Sequence, residues 1–323
     1  MHPAYSIIFF TVASGAGYGL MFLLGLGAAA GTPFVERDGS GFPVALLLSL
    51  LLVSAGLVSS AFHLGRPERA LRAFSQWRTS WLSREGCLAA VTYVPAVLLG
   101  VGWWAGELGT GWRFLGFLLS VFAAATVYAT AMIYRSLAAV PRWSTGWVPA
   151  GYLVLGAASG AVWLAFIAAL AGGQGSGFAG AAAALLVLAG AVKGGYWRAV
   201  GNLAASSTIE TATGLGRLAP GARVHVLDPP HTQPNWLQRE MGYRVARRHA
   251  RKLRAFTWTL AFVVPGALCL GAWLGAGSGD AVWRVTVLGV AAVSASAGLL
   301  VERWLFFAEA EHKVTLYYGT RRV

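Results

Sequence analysis

Along most of this chain, apolar residues follow neither the strand period nor the stripe of a surface helix. They run unbroken for about the length of a bilayer crossing and then stop at a charge. A transmembrane helix needs roughly 20 mostly apolar residues. Eight stretches meet or approach that length: residues 4–30, 42–64, 87–104, 114–134, 147–171, 178–192, 255–277 and 285–301. The sixth and eighth have the shortest uncharged cores, which long flanking side chains extend by snorkelling. Pro95 and Pro265 fall inside the third and seventh stretches, where neighbouring helices can re-satisfy the backbone that proline disrupts. Trp104, Trp112, Trp147, Trp197 and Trp283 lie near stretch ends, as an interfacial aromatic belt requires. The predicted fold class is an all-α integral membrane protein with eight transmembrane helices, arranged as two four-helix bundles within one membrane domain spanning residues 1–323. Two longer connections, 65–86 and 201–254, break the pattern of short turns. The prolines of residues 229–234 make much of the second irregular.

Composition agrees. Hydrophobic residues make up 57% of the chain and charged residues only 11%, against about 25% charged in soluble domains. A soluble enzyme is excluded. The first apolar stretch lacks a basic leader and a cleavage site and is too long for a signal peptide, so it is expected to remain as a helix. Cys87 and Cys269 lie singly in apolar surroundings, which points to neither a disulfide framework nor a cysteine-ligated metal.

The net charge of +13 is distributed by topology. All but three of the 25 Lys and Arg residues fall on the side shared by both termini and the even-numbered loops; the exceptions are Arg37, Arg113 and Arg284. The bias persists when the long segment 193–254 is set aside. The positive-inside rule therefore places both termini in the cytoplasm, and no nucleic-acid partner is needed to explain the charge. The basic segment 239–254 suits either anionic lipid headgroups or a docking partner.

Ionisable groups near the bilayer are few, so each is informative. No acidic residue interrupts a predicted stretch. His63 closes the second and is followed by Gly65, Arg66, Pro67, Arg69 and Arg72, then Arg78, Trp81, Arg84 and Glu85. An imidazole, several guanidiniums, an aromatic ring and a carboxylate thus share one interfacial loop. A quinone headgroup calls for such a set, because its carbonyl oxygens need hydrogen-bond donors and its reduction consumes two protons. Histidine titrates near neutrality and can serve either need; Glu85 would relay protons to bulk water. Bis-histidine haem would need a second intramembrane histidine, and nucleotide-loop, zinc-protease and serine-triad motifs are absent. The protein is thus expected to carry no metal or haem, and not to be catalytic alone. The competing reading is a transporter or a non-redox scaffold. The absence of midplane charge and of paired broken helices counts against it.

The pattern His63-Leu64-Gly65-x-Pro67 with Arg69, Ala70 and Phe74, then Ser83-x-Glu85, resembles the membrane-anchor subunits of dimethyl sulfoxide reductase-type molybdoenzymes. That resemblance extends over essentially the whole chain. It implies eight spans, a bound quinone (menaquinone or ubiquinone) and no haem. It also implies an iron–sulfur partner with four clusters and a molybdopterin catalytic subunit beyond it. Residues matching positions implicated in quinol binding are His63, Gly65, Arg69 and Glu85, to which the loop adds Arg66 and Trp81. Within the family, MHPAYSIIFFT, HLGRPERA, STIETATGLG, LDPPHTQPNWLQREMG and ERWLFFAEAEH are most similar to the membrane subunits of cytoplasmic sulfite dehydrogenases. The resemblance implies a multi-pass protein of the bacterial inner membrane that passes electrons from sulfite oxidation to quinone. The alternative within the family is the anchor of a quinol-oxidising, dimethyl sulfoxide reductase-like complex.

Overall fold

The computed structural model describes residues 5–35, 40–62, 67–172, 175–203, 207–218, 221, 223–228, 233, 244–275, 280–318, 320 and 323. Six long helices come first: α1 (Tyr5–Ala30), α2 (Gly41–Ala61), α3 (Trp81–Ala105), α4 (Thr110–Arg135), α5 (Trp147–Leu170) and α6 (Gly175–Gly201). Three short ones follow: α7 (Ile209–Thr213), α8 (Leu215–Leu218) and α9 (Arg244–Arg248). Then come α10 (Ala250–Leu274) and α11 (Ala281–Ala308). All eight long helices are long and apolar enough to cross a membrane. The fold is all-α, and no strand forms among the described residues.

Helices α3, α6, α10 and α11 each outrun their apolar stretches by five residues or more at the end of the bundle where α1 begins and α11 ends. Helix α3 starts at Trp81, where Ser80 caps it by accepting from the Ser83 N–H. Arg84 and Glu85, expected in a loop, are therefore helical. Helix α6 continues past Val192 through Lys193 and Arg198, and α11 continues past Val301 through Glu302 and Arg303. The expectation that no acid lies inside a span is overturned by Glu85 and Glu302, both buried. Charge marks where an apolar run ends, but a helix satisfies its own backbone bonds and continues wherever the charged side chain finds a partner.

Helix α1 is the hub, packing against α2, α4, α5 and α11. Of its most apolar window 67% is buried, against 28% for α3, which faces outward. The α1–α5 crossing is a backbone contact. A Cβ on Gly19 would stand 1.9 Å from the Gly156 carbonyl oxygen, and one on Gly160 would stand 2.3 Å from the Gly19 carbonyl carbon. Only glycine permits that approach, and membrane helices gain their association from such close packing. Beyond α5, the bundle is extended by α6 and α10 and then by α11, which returns to α5.

Within α10, residues Trp258–Val263 form a π turn just before Pro265. Proline cannot donate to the preceding turn. Ser294 of α11 donates to the Leu260 carbonyl at 2.8 Å, supplying a partner inside the irregular stretch. The tryptophans divide: Trp104 and Trp283 are exposed, whereas Trp112 and Trp197 are buried. Trp112 spends its indole N–H on the Leu99 carbonyl, so it braces α4 against α3 instead of facing lipid headgroups.

Candidate functional site

Of the loop residues singled out from sequence, His63, Gly65 and Arg66 lie outside the described residues. The backbone reaches them from Phe62, the exposed C-cap of α2. Arg69 falls in the 3-10 helix Pro67–Gln76, which packs on α3. The structure brings Trp81 and Glu85 together on the first turns of α3. The Trp81 ring meets Tyr128 of α4 edge-on, and the Arg84 guanidinium lies 4.2 Å above it. Arg84 also donates to the carbonyls of Trp77 and Arg78, pinning the preceding loop to the helix.

Glu85 belongs to the buried stripe of α3 that continues through Ala89, Thr92, Ala96 and Leu99. Those spacings of three and four put one face of the helix against α4. Thr130 of α4 donates its hydroxyl to the Glu85 carboxylate, and one turn pair further in, the Thr92 and Thr126 hydroxyls meet at 3.2 Å. Glu85 is 6% exposed and makes no ion pair among the described residues. Tyr18 of α1 and Tyr134 of α4 lie within electrostatic range of it. Among the described residues, the buried Tyr18 hydroxyl meets no hydrogen-bonding partner. Its residue lines an apolar cavity of about 300 Å³ between α1, α4 and α5, with Phe22, Val127 and Leu153 on the walls.

A second polar cluster, missed in the sequence, sits at the same end of the bundle. Glu302 pairs with Lys193 of α6 and with its own neighbour Arg303, and all three are buried. Aromatic faces surround the two cations. Lys193 lies 4.2 Å from the Tyr196 ring centre, and the Arg303 guanidinium lies 4.3 Å above Tyr152. Tyr152 in turn stacks on Tyr134, with ring centres 5.8 Å apart. The sequence did hold a signal: Lys193 and Glu302-Arg303 directly follow two apolar stretches, with opposite charges available on different helices.

Part of the basic segment 239–254 is used within the protein itself. Arg247 donates to the carbonyls of Ala308 and Ala310 at 2.8 and 2.7 Å, and Arg254 pairs with Glu309 at 2.8 Å. Both contacts satisfy or neutralise the negative C-terminal end of α11.

An all-α chain with eight candidate spans and, among the described residues, a buried carboxylate without a cation at the start of the third defines a class: a polytopic membrane protein. The chain belongs to the DMSO reductase anchor subunit (DmsC) family, which it matches over residues 1–319. It is 35% identical to a sulfite dehydrogenase subunit of Allochromatium vinosum over 98% of this chain and 99% of that protein. It is also 27% identical to one of the chains of the anaerobic dimethyl sulfoxide reductase of Escherichia coli, over 32% of this chain and 37% of that one.

Proposed function

We propose that this chain is the quinone-reactive membrane anchor of a molybdopterin oxidoreductase complex. It takes electrons from a partner subunit with four iron–sulfur clusters, which a molybdopterin subunit oxidising sulfite reduces. The observation that carries the reading is Glu85, a buried carboxylate with only a hydroxyl partner among the described residues; Tyr18, within electrostatic range of it, lines an apolar cavity. Burying a carboxylate without a cation is costly, and such groups collect where a proton must be exchanged. An apolar chamber with one or two polar handles suits a quinone (menaquinone or ubiquinone), whose ring is polar only at its two oxygens and whose tail is hydrocarbon.

In this reading His63 donates a hydrogen bond to one quinone carbonyl, and Gly65 shapes the turn that follows. Arg66, Arg69 and Trp81 order the loop around the headgroup. Two electrons arrive from the iron–sulfur partner, and two protons pass inward by way of Glu85, so quinone becomes quinol. The exposed apolar side chains of Leu71, Phe74, Trp77 and Leu82, in the 3-10 helix, the turn after it and the start of α3, suit a partner surface more than open water. The asymmetry of Lys and Arg supports a bacterial inner-membrane orientation with both termini and the loops 65–86 and 201–254 in the cytoplasm. A cytoplasmic catalytic pair and the name of the 35% identical relative both favour sulfite as the electron source.

A hydrogen bond involving a charged group is worth about 1.5–3 kcal/mol. His63→Ala should therefore slow quinone-linked turnover roughly tenfold or more while sparing assembly and dye-linked oxidation at the catalytic subunit. Equal quinone-linked rates in wild type and variant would remove His63 from the site.

A further inference from the structure

The charge cluster in the second half of the molecule does not balance: Lys193 and Arg303 share the single carboxylate of Glu302. Three atoms close by are buried and meet no hydrogen-bonding partner among the described residues: the Tyr152 hydroxyl, the Ser159 hydroxyl and Nη1 of Arg303. Their residues are 7%, 3% and 6% exposed. All three residues line one small cavity between α1, α5 and α11. Its volume is about 30 Å³, above the roughly 10–15 Å³ that one water requires and far below what a quinone ring would occupy. The remaining wall is apolar or already satisfied, since the Thr11 hydroxyl donates to the Ile7 and Ile8 carbonyls.

We propose that this cavity is a binding site for a single structural water. The water accepts hydrogen bonds from Arg303 Nη1 and from the Tyr152 hydroxyl and donates to the Ser159 hydroxyl. Leaving three polar atoms unpaired at this depth would cost far more than immobilising one water. A water lone pair directed at Arg303 also offsets part of the surplus positive charge, which aromatic faces alone solvate weakly. Helix α1 admits the site because Gly15 and Ala16, on its wall, carry little or no side chain.

Hydroxyl-radical labelling by X-ray pulses marks side chains next to bound water, so it separates a wet cavity from a dry one. It is to be done on the full complex in native membranes. Tyr152 should be modified severalfold more than Tyr196, which is equally buried but donates its hydroxyl to the Arg142 carbonyl. Ser159→Ala, which adds no volume, should cut Tyr152 labelling severalfold. Equal labelling of Tyr152 and Tyr196, or no response to Ser159→Ala, would overturn the proposal. In a high-resolution map of the complex, a peak bonded to all three atoms that is unchanged when bromide replaces chloride supports water. A bromide anomalous signal there would refute it in favour of a halide site.

Discussion

Two glutamates lie buried at the same end of the bundle and are held in opposite ways. Glu302 has two cations and a ring of aromatic faces. Glu85 has one threonine hydroxyl and, among the described residues, no cation. A carboxylate clamped between two cations ties their helices together, here α6 to α11. In the proposed function, Glu85, with only a hydroxyl partner among the described residues, is the acid left to exchange protons with a bound quinone. Burial alone therefore does not distinguish the two acids; the partner set does.

The largest effect should come from the clamped acid. Glu302→Gln leaves two buried cations without their anion, a loss on the order of 3–5 kcal/mol for a broken buried pair, and should abolish accumulation of the folded protein. Adding Lys193→Met to that variant removes one orphaned charge and should restore part of the thermal stability in detergent. If the double variant is no more stable than the single, Glu302 and Lys193 are not coupled and the contrast with Glu85 collapses.

Glu85→Gln should behave differently. The amide keeps the shape and can still accept from Thr130, so the expected change in stability is within about 1 kcal/mol. Quinone-linked turnover should fall and lose its pH dependence, while dye-linked activity of the complex stays at wild-type level. A variant that melts as early as Glu302→Gln would show that Glu85, too, is a structural acid.

The smallest effect lies just beyond α11. Burial holds the His312 imidazole below its usual 6.5, and its Nδ1 accepts the Val314 N–H at 3.0 Å, which needs the neutral ring. The stabilisation is complete above the unfolded-state value and is lost as pH falls through the lowered folded value. Protection of the Val314 amide from exchange, corrected for intrinsic rate, should drop between about pH 7 and pH 5 and become flat in His312→Asn. A wild-type profile already flat over that window would remove His312 from the account.

The eight crossings were readable because apolar length is a property of the sequence alone. Helix ends were harder, since Arg84, Lys193 and Arg303 look like stop signals until their partners are known. The carboxylate at position 85 was legible from its spacing after His63, but its burial was not. That burial depends on Thr130, which is brought within reach only when α4 folds back on α3. The Glu302 cluster escaped for the same reason. Its members come from helices far apart in sequence, and no local pattern records that Lys193 will face Glu302.

The bare contact between Gly19 and Gly156 sets an order on biogenesis. Helix α1 leaves the translocon before any other span described here, yet the helix it touches backbone to backbone is the fifth to emerge. Until then α1 has α2 and α4 as neighbours, but the face that meets α5 is uncovered, and lipid or a chaperone must cover it. One of the two most enclosed spans of the finished protein is therefore the one that waits longest for its surroundings. A side chain added at Gly19 should act late, stalling assembly after the first four helices are already in the bilayer.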